Sequence, residues 1–288
     1  MDNPKCIVCG NIQNLKFELK HKVYQCASCN LYSSDADFDL TFQSSLEEDS
    51  REIGLKKLRL HNFGLIIKAL KEKYFKGKQT IKGLEIGCGN GWWLEVCRDN
   101  SIDCKGIEPE RTFEEYYKQN KLNVTMGFYP NPATDLAEGY DFIIFNDVFE
   151  HIPDLNSLLL SIKKDLKKDG LLIINIPMSN GFFYRAATAL YYLKIKSFLD
   201  RLWQFNFHSP HINYFNPKNL PTYLSNYGFK LRENFRLETL DFSSIKERIM
   251  ADSKISKAKA YTLSSFLTVL KPVIKNSSAD IRVFFFRQ

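Results

Sequence analysis

No apolar run in this 288-residue chain approaches the roughly 20 residues that a bilayer-spanning helix requires. The opening MDNPKCIVCG lacks the basic-then-apolar pattern of a secretory signal. Internal repeats and low-complexity tracts are also missing, which excludes a solenoid. These absences lead to the expectation of a cytoplasmic globular protein, long enough for one α/β domain and a small accessory unit. The net charge of +7 is spread along the chain, and lysine-rich runs such as 163-KKDLKK-168 are broken by acids. Charge alone therefore marks no nucleic-acid surface.

Seven cysteines are present, an odd number that suits no closed disulfide framework. Four of them form 6-CIVC-9 and 26-CASC-29, sixteen residues apart, around the strand-like FELKHKVYQC. Each CxxC sets two thiolates on one tight turn, and two such turns facing one another make a tetrahedral site. The spacing predicts a zinc ribbon over residues 1–35, with Cys6, Cys9, Cys26 and Cys29 around a structural Zn2+. Residues 36–54 are acidic and polar and read as a linker.

From about residue 55 a helix is expected, with Leu55, Leu58, Phe63, Ile66, Ile67 and Leu70 at helical spacing. Strands and helices then alternate: TIKGLEIG and WWLEVCRDN, DCKGIEPE and FEEYYKQN, NVTMG, YDFIIFND and SLLLSIKKDLK, then GLLIINIP. That order predicts a parallel sheet with helices on both faces. An aromatic stretch at about 178–215 follows, then a short helix at 217–227 and the strand GFKLRENF. A helical insertion at about 243–274 precedes DIRVFFFRQ, read as a seventh strand entering antiparallel.

In an open α/β sheet the loop after the first strand floors the ligand site. Here that loop is 83-GLEIGCGNGWWLE-95, with Gly87, Gly89 and Gly91 two apart. A dinucleotide fingerprint would need a glycine at position 92, which is Trp92. No phosphate-binding GKS or GKT follows either. Glu108, in 105-KGIEPE-110, stands where an acid can accept hydrogen bonds from both ribose hydroxyls. The run 140-YDFIIFNDVFEHIPD-154 carries Asn146, Asp147, Glu150 and His151 to the rim of the same cleft.

The ordered set EIGCGNG, IEP, YDFIIFNDVFEHIPD and LKKDGLLIINIP resembles class I S-adenosylmethionine-dependent methyltransferases over residues 55–235. The resemblance implies a Rossmann-like α/β sheet of seven strands, the last antiparallel, behind the small ribbon. It implies that Gly87, Gly89 and Gly91 let the methionine end of the cofactor approach the backbone. Glu85 would orient that loop or the methionine amine, Glu108 would hold the ribose, and Phe128 would contact adenine. Asn146 would face the methionine or sulfonium region, with Asp147 beside it.

Methyl transfer to a hydroxyl also needs a proton acceptor, and histidine suits that work near neutral pH. His211 and His208, in 207-FHSPHINYFNP-217, are the expected bases. Asp147, Glu150 and His151 resemble an acid-x-x-Glu-His cluster of quinone-type O-methyltransferases, with a structural role and a divalent-ion role both open. The stretch 182-FFYRAATALYYLKIKSFLDRLWQF-205 reads as a packed lid, with peripheral contact to the inner membrane face as the alternative. Resemblance to zinc-ribbon methyltransferases of bacterial surface-polysaccharide pathways implies a sugar hydroxyl or lipid-linked glycan precursor as acceptor. Two other readings stay open, an RNA methyltransferase gripping its substrate with the ribbon and a non-catalytic cofactor-binding scaffold.

Overall fold

The computed structural model of the protein describes residues 3–37, 48–131, 138–205, 207, 209–242, 245–250 and 256–288. The ribbon contributes β1 (Gln13–Glu18), β2 (Lys22–Cys26) and β3 (Tyr32–Ser34), an antiparallel meander. Helix α1 (Glu48–Ala69) follows and ends in a π-helical turn at Leu70–Tyr74. It starts seven residues before the first apolar position read from the sequence. The sequence of its opening turns gives no apolar periodicity.

The main domain then runs β4 (Lys82–Ile86), α2 (Trp92–Asp99), β5 (Asp103–Glu108), α3 (Glu114–Gln119), β6 (Val124–Met126), β7 (Tyr140–Asn146), α4 (Leu155–Asp165) and β8 (Leu166–Pro177). Two helices, α5 (Phe182–Tyr192) and α6 (Ser197–Leu202), and the two-residue β9 (Asn213–Tyr214) form the lid. After it come α7 (Asn219–Ser225), β10 (Lys230–Arg236), α8 (Ile245–Met250), α9 (Lys257–Val269), α10 (Lys271–Asn276) and β11 (Ile281–Arg287).

Seven strands form one sheet in the order β10-β11-β8-β7-β4-β5-β6. Strands β4 to β8 pair in parallel, and β11 inserts antiparallel between β8 and β10. The fold is the seven-stranded α/β arrangement expected from the alternating pattern. Alternation along the strand divides the core: Ile143 and Phe145 face one layer, while Phe142 and Ile144 face the other. Strand β11 does the same with Phe284 and Phe286 against Val283 and Phe285. Two-sided burial explains why these strands read as nearly continuous apolar runs.

The ribbon does not stand apart from this domain. Strand β3 pairs with β9, so ribbon and lid share a four-stranded sheet in the order β1-β2-β3-β9. A third core lies between them, built from Phe17, Val23, Tyr184, Leu199, Trp203 and Tyr214. Tyr184, Trp203, Phe205 and Tyr214 of the lid are buried in that packing. Among the described residues no helix is long and apolar enough to cross a membrane.

Candidate active site

Strand order reverses at β4, which has β5 on one side and β7 on the other. A crevice at the carboxyl ends of these strands is the expected ligand site. Three polar side chains cross it. The Asn175 amide donates to Asn146 Oδ1 at 3.2 Å, and the Asn146 amide donates to Glu85 Oε1 at 2.8 Å. The other oxygen, Glu85 Oε2, is buried and has no hydrogen-bond partner among the described residues. Burial, with the Asn146 bond opposing it and the Glu108 charge adding to it, raises the Glu85 pKa well above the ordinary carboxylate range. A buried acceptor left open costs free energy unless a donor arrives.

The structure separates the three loop glycines. All have positive φ, at 72° for Gly87, 49° for Gly89 and 76° for Gly91. A Cβ on Gly87 would lie 2.7 Å from the Val148 side chain, and one on Gly91 would lie 2.7 Å from Leu122. Those two are demanded by the protein's own packing. A Cβ on Gly89 would meet nothing within 4 Å, so space stands open beside that backbone. Conformation and packing thus account for Gly87 and Gly91, and Gly89 alone of the three borders open space.

Glu108 closes the same loop from β5. Its Oε2 accepts from the Gly89 amide at 2.8 Å and its Oε1 from the Glu110 amide at 3.0 Å. A carboxylate offers about four lone-pair sites, so acceptor capacity for hydroxyl groups remains. The Tyr117 hydroxyl donates to the Gly89 carbonyl and pins the loop from α3's side. Phe128 is exposed and follows Gly127, whose amide donates to the Glu108 carbonyl at 2.9 Å. That puts an apolar ring on the rim beside Glu108.

Beyond β7 the chain turns sharply at Asp147, with φ of 55°. The Asp147 carboxylate pairs with Arg59 of α1 at 3.7 Å. Glu150, 1% exposed, lies under it, and neither of its carboxylate oxygens has a hydrogen-bond partner among the described residues. His151 Nε2 and His211 Nε2 each stand 3.9 Å from Glu150 Oε1. The two imidazoles meet edge to face with centroids 4.6 Å apart. Burial first, and the Asp147 charge next, raise the Glu150 pKa well above the ordinary carboxylate range. His151 Nδ1 faces the Pro210 carbonyl at 3.0 Å, which assigns the proton to that nitrogen and turns Nε2 toward Glu150. Gln204 reaches His211 Nε2 at 3.0 Å.

His211 and His151 are thus brought together, although sixty residues separate them in sequence. Three donor atoms of Glu150, His151 and His211 lie within 4.8 Å of one another, close enough for a cation as well as for proton transfer. Asp147 is not in that set. His208 lies outside the described residues. Arg59, Gln204 and Asn175 escaped the sequence reading; Asn175 lies within LKKDGLLIINIP and Gln204 within the aromatic stretch, but neither was singled out there, and only the fold carries the three to the cleft.

The ribbon cysteines converge. Cys6 and Cys29 sulfurs are 3.4 Å apart, and those of Cys9 and Cys26 are 3.5 Å apart. A Zn–S bond of about 2.3 Å in a tetrahedron sets neighbouring sulfurs roughly 3.8 Å apart, so the four residues fit zinc closely. The knuckle also reaches the segment that follows the lid: Asn216 and Asn219 amides donate to the Cys29 carbonyl at 3.3 and 3.2 Å. Ser34 donates its hydroxyl to the His211 carbonyl, and the Ile212 amide donates to the Glu150 carbonyl.

The family model for a methyltransferase domain matches residues 58–234, more than half of the chain. A ubiquinone biosynthesis O-methyltransferase of Actinobacillus pleuropneumoniae is 30% identical over 104 residues, 33% of this chain and 44% of that protein. A malonyl-[acyl-carrier protein] O-methyltransferase of Bacillus cereus is 26% identical over 138 residues, 46% of this chain and 50% of that protein. The matched segment spans about half the length of these curated relatives. Among solved structures, one assigned provisionally as a sarcosine dimethylglycine methyltransferase, from Galdieria sulphuraria, superposes with a TM-score of 0.55 at 19% identity. That superposition covers 87% of this chain and 93% of the other, and it bears on the fold alone. Strand order, glycine loop and family match agree, and the chain belongs to the class I S-adenosylmethionine-dependent methyltransferases.

Proposed function

We propose that the protein transfers a methyl group from S-adenosylmethionine to an oxygen of a small-molecule acceptor, a hydroxyl of a sugar or glycan precursor. The observation that carries the oxygen acceptor is the buried Glu150–His151–His211 cluster at the mouth of the cofactor cleft. A hydroxyl must lose its proton as it is methylated, and a paired imidazole and carboxylate can take it. The relatives' names, both O-methyltransferases, support the same choice of atom.

The cofactor's fit rests on two observations, the orphaned Glu85 Oε2 and the open space beside Gly89. Bound there, S-adenosylmethionine supplies a methyl group activated by a sulfonium charge. Glu85 accepts from the amino group, steadied by Asn146. Glu108 would accept from the ribose hydroxyls, and Phe128 would contact the adenine. Asp147, tied to Arg59, borders the sulfonium region. His211 receives the acceptor's proton, and Glu150 stabilises the resulting imidazolium. His151, held by Pro210, orients the pair. His208 is kept in this reading as a second base.

Cys6, Cys9, Cys26 and Cys29 hold a structural Zn2+. The ribbon's strand β3 is engaged by β9, which supports a role in building the acceptor wall over a nucleic-acid grip. The sugar class draws on the resemblance to zinc-ribbon methyltransferases of surface-polysaccharide pathways. A cytoplasmic location goes with it.

Incubation of cell extracts with the protein and isotope-labelled S-adenosylmethionine tests this, with glycan, lipid, RNA and protein fractions kept apart. Label in a sugar or lipid-linked glycan supports the reading. Label confined to a quinone or an acyl carrier keeps oxygen transfer and replaces the acceptor class. Label confined to RNA overturns it, and cofactor binding without any transfer makes the protein a scaffold.

A further inference from the structure

Helix α5 leaves the carboxyl end of β8, at the cleft, and runs outward for 11 residues, roughly 16 Å. Its far end is a corner of unusual composition. Tyr192, Leu193, Ile195 and Phe198 are 58%, 70%, 43% and 56% exposed within seven residues. Lys194 and Lys196 alternate with them and are exposed too. A single exposed leucine means nothing, but four large apolar side chains on one turn form a patch that needs a partner.

The corner is held firmly. The Lys194 amide donates to the Tyr191 carbonyl and the Ile195 amide to the Leu190 carbonyl, a Schellman closure. That closure sets Lys194 at φ of 67°, a conformation in which glycine is the usual residue. The ribbon hairpin braces it, since the Lys196 ammonium donates to the Glu18 carbonyl at 2.6 Å and the Lys20 amide to Asp200 at 3.0 Å. Lys16, Lys20 and Lys22 of that hairpin are exposed as well. The neighbouring acids are partly engaged: Asp200 accepts from the Lys20 amide, and Asp35, itself exposed, accepts from the Lys22 amide at 2.8 Å.

We propose that the α5–α6 corner and the ribbon hairpin together form a docking surface for an anionic lipid bilayer. Aromatic and aliphatic side chains interleaved with lysines match the two layers of such a surface, acyl boundary and anionic headgroups. A second copy of the chain is the poorer occupant, because a twofold contact would set the same lysines against one another. The surface goes beyond the transfer reaction and does not depend on it. It would bring the cleft to an acceptor anchored in the membrane.

Sedimentation of the full chain with phosphatidylcholine vesicles, with and without phosphatidylglycerol, tests the surface in the absence of cofactor. Binding is expected to the anionic vesicles, to weaken with salt, and to fall roughly tenfold in Leu193→Ser/Phe198→Ser and in Lys194→Glu. Retained S-adenosylmethionine affinity in these variants shows that they fold. Failure to sediment with either vesicle overturns the proposal, as does equal binding to both. A concentration-dependent dimer that Leu193→Ser/Phe198→Ser abolishes would assign the patch to a second copy instead.

Discussion

The Ser34 hydroxyl donates to the carbonyl of His211 across 2.8 Å. A ribbon residue five positions past the last zinc-type cysteine therefore holds the backbone of the histidine proposed as the base. The Ser34 amide adds a bond to the Ile212 carbonyl, and the Ile212 amide donates to the Glu150 carbonyl. Ribbon, lid and base cluster form one hydrogen-bonded unit, while Glu85, Gly89 and Glu108 lie on the sheet and do not depend on it. Removing zinc with a chelator should therefore speed hydrogen exchange at Ile212 to Tyr214 and abolish methyl transfer, yet leave S-adenosylmethionine affinity unchanged. Exchange that stays slow in the zinc-free protein would separate the ribbon from the lid. Ser34→Ala should cost about 0.5–1.5 kcal/mol, the net worth of one hydrogen bond.

The glycine loop makes a contrast that two substitutions can read. Gly89→Ala puts a methyl group into open space, so the protein should fold, with a penalty of about 1–2 kcal/mol for the left-handed backbone. Cofactor binding should be lost, since the methyl group occupies the approach to the loop. Gly91→Ala carries the same backbone penalty and also drives into Leu122, so stability should fall further. Thermal unfolding and calorimetry on both variants decide the matter. Equal cofactor affinity in Gly89→Ala and the parent would assign the open space to something else.

Much of this architecture was legible in the sequence because two-sided burial writes itself as apolar runs. FIIF of β7 and VFFF of β11 fill both core layers, and each had to be a strand. The glycine loop was legible for a different reason, since three glycines in one turn are costly without a conformational need. Long-range pairing was not legible. Strand β9 is only Asn213 and Tyr214, too short for periodicity, yet it joins the ribbon to the lid. The meeting of His211 with His151 and Glu150 depends on that pairing. Sequence separation hid it, and the two histidine motifs were read as separate features. Arg59 sits on an ordinary amphipathic helix face, where no local signal distinguishes it from a solvated cation.

Glu85 should make cofactor binding depend on pH. Its folded pKa is raised by burial, so the free protein holds a proton there that an arriving ammonium must displace. As pH rises through that raised value the cost of deprotonation disappears, and affinity should increase toward a plateau. Below it, affinity should fall as binding releases a proton to solvent. Calorimetry in buffers of different ionisation enthalpy measures that proton directly. Glu85→Gln should bind more weakly and with a flat pH profile; proton release in that variant equal to the parent's would remove Glu85 from the amine site.

Glu150 and His211 test the base, and stability and activity should move in opposite directions. Native Glu150 keeps its proton at pH values where the unfolded chain has lost it, so the folded state binds more protons in that window. Stability contributed by this group is therefore complete below the unfolded value and declines as pH rises toward the raised folded value. Glu150→Gln removes the titration while keeping the shape. It should make the protein more stable than the parent at alkaline pH, by about 1–3 kcal/mol, the cost of an unsatisfied buried group. Turnover should nevertheless drop, because nothing remains to stabilise a protonated His211. His211→Ala should lower turnover by roughly a hundredfold to ten-thousandfold with cofactor affinity intact, the range for loss of a general base. Single-turnover rates and denaturant unfolding on both variants separate the outcomes. If Glu150→Gln is stabilised and fully active, the buried carboxylate is a packing relic; if His211→Ala also turns over normally, proton removal belongs to another group.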